Sequence, residues 1–280
     1  MKLPRSLRRL ARVTAALGTA AVLLHAPAAR AAPGGSGPYP ADYETSPRLR
    51  DHTIYRPDTI PAGLRLPIVA WGNGACRADG TWFQNILREF ASHGFLVIAN
   101  GRPGGSGQTD SDMLVEAIDW AIAENGRVGS GYRGRIDTTR IAVMGQSCGG
   151  IEAYEVSSTD RRVTTTGIFN SGLMSPLDKP MLSRLRAPIG YFVGGPSDIA
   201  HPNAMDDWRR LPAGLPAFMG NLDVGHFGTY DQPDGGEFGR VGSAWLRWRL
   251  KGDTAARSLF VGPDCGLCGT DWDVMQKNLS

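Results

Sequence analysis

Cysteine and histidine are both scarce in this sequence, four and five among 280 residues. That scarcity excludes much metal chemistry. Cys265-Gly266-Leu267-Cys268 has turn spacing but no companion ligands for a zinc site. It also lacks the strand-then-helix setting of a thioredoxin-like redox pair, so a structural disulfide clip is expected there. Long apolar runs are missing too. Val13–Leu24 is too short to cross a bilayer, and Pro27 follows it. The glycine-rich stretch Asn100–Gly107 has neither a Gly-Lys-Ser/Thr ending nor G-x-G-x-x-G spacing, which argues against phosphate binding. It reads as a mobile loop. There is no internal repeat, no second-domain boundary and no long apolar insertion that would serve as a lid.

A basic excess is absent as well once the chain start is set aside. Lys2, Arg5, Arg8, Arg9 and Arg12 precede the apolar run, and Ala29-Arg30-Ala31 supplies a small-x-small cleavage site. Residues 1–31 therefore read as a secretory signal peptide, with the Arg8-Arg9 pair leaving the export route open. They hold one lysine, five arginines and no acid, so the formal charge of +3 less 6 leaves −3 for the remainder. Nucleic acid is thereby an unfavourable partner. Stable membrane insertion is not expected, a monomer is, and export permits disulfides. Residues 32–47, rich in glycine and proline, are expected to be flexible. Residues 48–280 are expected to form one domain with a cysteine-containing tail.

What is present centres on Ile141–Gly150. Four apolar residues (Ile141 to Met144) read as a buried strand. Gly145-Gln146-Ser147-Cys148-Gly149 follows, and Ile151-Glu152-Ala153-Tyr154 continues as a helix. Strand, Gly-x-Ser-x-Gly, helix is a sharp turn that lifts a serine hydroxyl above a sheet edge. Around it, apolar strands are predicted at 52–55, 66–71, 95–99, 164–169 and 187–193, with a last one at 216–220. Helices are predicted at 81–93 with Thr81 as cap, at 113–123 capped by Ser111 or Asp112, around 203–209 and at 238–250. This alternation predicts an α/β fold, a mostly parallel sheet with helices on both faces.

A serine hydroxyl needs a base, and the base needs an orienting acid. In such a sheet these belong in loops after the C-terminal strand ends. Asp198 follows the strand ending at Val193, and His226 follows the strand near Phe218. Asp178, Asp206, Asp207 and Asp223 are rivals for the acid, Asp178 the strongest. His25 lies in the leader, His52 precedes the sheet core and His93 ends a helix. His201 is too near Asp198 in sequence to face it across the site. Ser147, Asp198, His226 is the chain order of the α/β-hydrolases. The corner Gly72-Asn73-Gly74-Ala75-Cys76 is where a backbone oxyanion donor belongs. Gln146, His201 and Phe227 are expected to line the substrate pocket. No metal or organic cofactor is called for.

From about Tyr43 to Leu250 the chain resembles the cutinase-like polyester hydrolases, which include poly(ethylene terephthalate) hydrolases, and more distantly the dienelactone-hydrolase branch. Ala91–Ile98 and Ile136–Gly145 carry the likeness, along with the serine turn. The resemblance implies an α/β-hydrolase fold without a large lid and a secreted serine ester hydrolase. It places the triad on Ser147, Asp198 and His226 and the oxyanion amides on Asn73 and Cys148, with Gly74 an alternative to Asn73. Polyester hydrolases carry an aromatic residue or histidine before the serine, methionine after it and an aromatic first donor. Here those positions are Gln146, Cys148 and Asn73, so the aromatic grip on polymer is not implied. The fold would bring Cys76 near Cys148, either as a disulfide bracing the hole or as two small buried residues. A carbohydrate (acetyl or feruloyl) esterase would use the same machinery, and a peptidase would need an added domain. A noncatalytic binding protein would not require serine, acid and histidine at three strand ends.

Overall fold

The computed structural model describes residues 34–279. The leader expected at residues 1–31 lies outside the described residues. The strands are β1 (Ala41–Ser46), β2 (Leu49–Pro57), β3 (Leu66–Gly72), β4 (Leu96–Asn100), β5 (Ile136–Gln146), β6 (Thr165–Phe169), β7 (Ile189–Val193), β8 (Ala217–Leu222) and β9 (Trp272–Lys277). The helices are α1 (Gln84–Ser92), α2 (Ser111–Gly126), α3 (Cys148–Thr159), α4 (His201–Arg210), α5 (Gly236–Lys251) and α6 (Thr254–Arg257).

One sheet takes all nine strands of the described residues, in the order β1-β2-β4-β3-β5-β6-β7-β8-β9. The run from β4 through β8 is parallel, and β1, β2 and β9 are antiparallel additions at the two edges. Strands β3, β4, β6 and β7 are buried along their whole length, as a sheet covered on both faces requires. Leu114 and Ile118 of α2, Tyr154 of α3 and Trp208 of α4 pack on one face. Phe90 of α1 and Phe238, Val241 and Trp245 of α5 pack on the other. This is the α/β-hydrolase arrangement, and it brings the C-terminal ends of β3, β5, β6, β7 and β8 to one edge of the sheet.

Five sequence-based expectations need correction. From Gly34 onward, the segment expected to be flexible is tied down. Ser36 binds Glu89 through its amide and hydroxyl, the Gly37 amide donates to Ser92 Oγ, and β1 pairs with β2. The last strand is β9, not the one at 216–220. It hides in the cysteine-containing tail because an edge strand need not be apolar. Helix α1 begins at Gln84 with no side-chain cap, since the residue before it is Phe83, and the Thr81 hydroxyl instead donates to Asp79 Oδ1. Helix α2 is capped by Asp110, whose carboxylate accepts from the Met113 amide. The Asn100–Gly107 loop is stitched to the turn after β3, with Gly80 N donating to Arg102 O and Ala78 N to Gly107 O.

Candidate active site

Ser147 stands alone between the end of β5 and the start of α3. Its φ of 52° and ψ of −115° are values that a side-chain-bearing residue rarely adopts. Close approach forces the geometry. A Cβ on Gly149 would sit 2.0 Å from the Gly72 carbonyl, and one on Gly145 would sit 2.2 Å from Gly149 O. The serine backbone is held from three sides: its amide donates to Phe169 O at 3.0 Å, while its carbonyl accepts from Ser171 Oγ at 2.6 Å and from Gly150 N at 2.9 Å. With the backbone fixed, the direction of the Cα–Cβ bond is fixed too.

That direction ends at His226. Its Nε2 lies 3.1 Å from Ser147 Oγ, and its Nδ1 lies 2.7 Å from Asp198 Oδ1. A carboxylate only accepts, so Nδ1 carries the proton and Nε2 is left free to accept the serine's. The histidine loop is pinned to the loop after β7, with Val224 N and Gly225 N both donating to Gly194 O. Gln146 Nε2 donates to His226 O at 3.1 Å.

Asp198 is buried, and burial by itself would raise its pKa. The donors around it outweigh burial: His226 and Ala200 N on Oδ1, Gly194 N and Asn170 Nδ2 on Oδ2. Its carboxyl is held below the ordinary carboxylate range. Of the rival acids, Asp223 pairs with the Ser197 hydroxyl. Asp206 binds Lys179 and Arg210, and Asp207 binds Lys179, Tyr154 and the Leu173 amide. Asp178 flanks the short turn Lys179–Arg184, and the His226 ring pairs with Asp198 instead.

Asn170 was not singled out by sequence reasoning. It follows β6 at φ 42°, donates to Asp198 Oδ2 at 2.8 Å and to Gly225 O at 3.1 Å, and accepts from the Tyr230 hydroxyl. A usable signal was present: Asn170-Ser171 is a polar pair directly after a buried strand, on the edge where the site had to be.

On the other side of Ser147 lie the candidate oxyanion donors, where the sequence leaves Asn73 and Gly74 both open. The Asn73 amide is already committed, donating to Asn100 Oδ1 at 3.0 Å. The amides of Gly74 and Ala75, at the start of the tight turn Gly74–Cys76, make no hydrogen bond among the described residues, and that of Gly74 lies next to Asn73. Gly74 rests on Gln146, where a Cβ would meet Oε1 at 2.0 Å. Cys148 opens α3, so its amide is among the first-turn donors that a helix leaves without an internal partner. Cys76 and Cys148 are disulfide-bonded with Cα atoms 5.2 Å apart, and Cys265 and Cys268 likewise at 5.0 Å.

The three residues expected to line a pocket have separate fates. Gln146 is buried and braces the histidine loop instead of facing solvent. His201 begins α4 and joins the site through its backbone, its amide donating to Asp198 O at 2.9 Å. Phe227 is 75% exposed, with its ring edge-on to His226. Met174, Leu177 and Ile199 are likewise exposed, on loops after β6 and β7.

No helix among the described residues is long and apolar enough to cross a membrane. The family model for PET hydrolase-like proteins matches residues 50–264. Two curated proteins are similar over nearly the whole chain: Cutinase cut1 of Thermobifida fusca and the Cutinase of Thermobifida fusca strain YX. Each is 34% identical over 297 aligned residues that cover 94% of this chain and 87% of the relative. With a family match across most of its length and a third of its residues shared with cutinases, the chain belongs to the PET hydrolase-like family of carboxylic ester hydrolases.

Proposed function

We propose that Ser147, His226 and Asp198 act as a nucleophilic triad that cleaves carboxylic esters through an acyl-enzyme. Ser147 Oγ attacks the ester carbonyl as its proton passes to His226 Nε2. Asp198, kept ionised by its hydrogen bonds, holds the Nδ1–H tautomer and stabilises the imidazolium. Charge grows on the carbonyl oxygen in the tetrahedral state. The amides of Gly74 and Cys148 are the donors assigned to it, each worth roughly 2.7–4 kcal/mol by analogy with measured oxyanion donors. The imidazolium then protonates the leaving alcohol, and water attacks the acyl-enzyme by the same route in reverse.

The observation that carries this reading is the continuous relay of 3.1 Å and 2.7 Å from a strained serine through His226 to a buried carboxylate. A noncatalytic binding protein has no use for that alignment. The exposed apolar residues Phe227, Met174, Leu177 and Ile199 favour esters with an apolar acyl part over acetylated sugars. The basic, apolar leader at residues 1–31 supports export as the setting in which such esters are met.

The test is hydrolysis of p-nitrophenyl esters from acetate to palmitate by the protein and by Ser147→Ala. Turnover on short and medium chains that the variant loses is the expected result. A well-folded protein inactive on every chain length, or a Ser147→Ala variant that keeps its activity, would refute the assignment.

A further inference from the structure

Glu152 is a buried carboxylate with no cationic partner among the described residues, and the relay above does not use it. It lies one turn along α3 from Cys148, and its side chain points under the turn that carries Gly74. Gly72 leaves it the room: a Cβ there would meet Glu152 Oε2 at 2.7 Å.

Each carboxylate oxygen holds one end of that turn. Oε2 accepts from Asn100 Nδ2 at 2.7 Å, and Asn100 Oδ1 accepts from the Asn73 amide at 3.0 Å. Oε1 accepts from Thr109 Oγ1 at 2.6 Å, and the Thr109 amide donates to Cys76 O at 2.8 Å. A carboxamide can be turned over, which exchanges its oxygen and nitrogen. Here it is fixed from both ends, because a backbone N–H can only donate and an ionised carboxylate can only accept. The turn so clamped is a strained one, with Ala75 at φ 51° and Cys76 at φ 48°. Such conformations persist where the surroundings over-determine them.

Resting on the ester-hydrolase reading, we propose that Glu152 is a positioning residue for the oxyanion hole. Through Asn100 and Thr109 it fixes the Asn73–Cys76 turn so that the Gly74 amide, and not that of Asn73, faces the reacting carbonyl. Because Glu152 and Cys148 share α3, the same side chain keeps the two donor amides in register. Burial, with Asp110 and Glu155 nearby, pushes the Glu152 carboxyl up to about 7. A protonated carboxyl still offers one oxygen to Asn100, so the role survives titration.

The test compares kcat and KM on p-nitrophenyl butyrate for the wild type, Glu152→Gln, Glu152→Leu and Thr109→Val, with Ser147→Ala as control. Glutamine keeps an acceptor for Asn100 and should retain kcat within about threefold. Leucine removes it and should lower kcat roughly 10–100-fold with KM little changed, the pattern of a lost oxyanion contact. An arylboronic acid, whose tetrahedral adduct on Ser147 puts an oxygen in the hole, should weaken in step. Thr109→Val, which keeps the backbone bond to Cys76 O and cuts only the link from Thr109 to Glu152 behind it, should lower kcat roughly 3–10-fold and serves if the leucine variant does not fold. The proposal is overturned if a folded Glu152→Leu, or failing that Thr109→Val, keeps wild-type kcat. It is equally overturned if glutamine is as damaging as leucine. A wild type without esterase activity would instead sink the functional reading on which the proposal rests.

Discussion

Replacing Cys76 and Cys148 together by alanine opens a loop closed across 72 residues, whereas replacing Cys265 and Cys268 opens one of only 3. In the chain-entropy picture a crosslink restricts the unfolded chain in proportion to the logarithm of the loop it closes. With those separations the long-range bond is worth about 4.4 kcal/mol and the tail clip about 1.6 kcal/mol at 25 °C. The C76A/C148A protein should therefore melt roughly 9–18 °C below the wild type, and C265A/C268A roughly 3–6 °C below it. The assay is denaturant unfolding followed by tryptophan fluorescence, with and without reductant. Reductant should bring the wild type below C76A/C148A by the remaining clip, and C265A/C268A down to the same level. Equal losses from the two double variants would refute the reasoning, as would a loss below about 1 kcal/mol from C76A/C148A. Either would mean that the 72-residue connection does not restrain the unfolded chain.

Three other outcomes are expected. Asp198→Asn should keep the fold but lower kcat by about 10⁴, because the imidazole loses the partner that sets its tautomer. A loss smaller than about tenfold on p-nitrophenyl butyrate would exclude Asp198 as the acid. Glu152, held near 7 against an ordinary 4.5, favours the fold when protonated. Its contribution is present below pH 4.5 and is lost as pH rises to 7, an effect of about 3 kcal/mol. Glu152→Gln should therefore lose less stability than the wild type between pH 4.5 and 8, and parallel urea midpoints across that range would contradict this. Phe227→Ala should leave the unfolding midpoint within about 0.5 kcal/mol of wild type, since the ring is exposed. It should raise KM on long-chain esters roughly 3–10-fold with little effect on acetate, and an equal effect on all chain lengths would remove the ring from the acyl side.

The central strands and the serine turn were legible because they rest on local rules. Apart from the polar start of β5, strands β3 to β8 are short and mostly apolar, and Gly145 and Gly149 stand where a Cβ would strike backbone. Asp198 and His226 could be chosen because a parallel sheet restricts active groups to one edge. The elements that escaped have no local signature. Strand β9 pairs only with β8, so half of its residues face away from the core and its sequence, Trp272-Asp273-Val274-Met275-Gln276-Lys277, reads like tail. The segment before β1 is glycine-rich but is held by Glu89 and Ser92, partners some fifty positions away.

The choice between Asn73 and Gly74 shows why sequence can locate a site and still leave its donor open by one residue. Every non-proline residue carries the same N–H, so residue type does not reveal which amide faces the substrate. What decides is which amides the interior has already used. Asn100 takes that of Asn73, and Asn100 can do so because Glu152 holds the other end of its carboxamide. The relevant information is spread over three residues, Asn73 just after β3, Asn100 on β4 and Glu152 on α3, none adjacent in sequence and all buried. A buried glutamate is costly unless it is satisfied. That cost is what makes Glu152 a signal, and the amide it leaves free is the one to test.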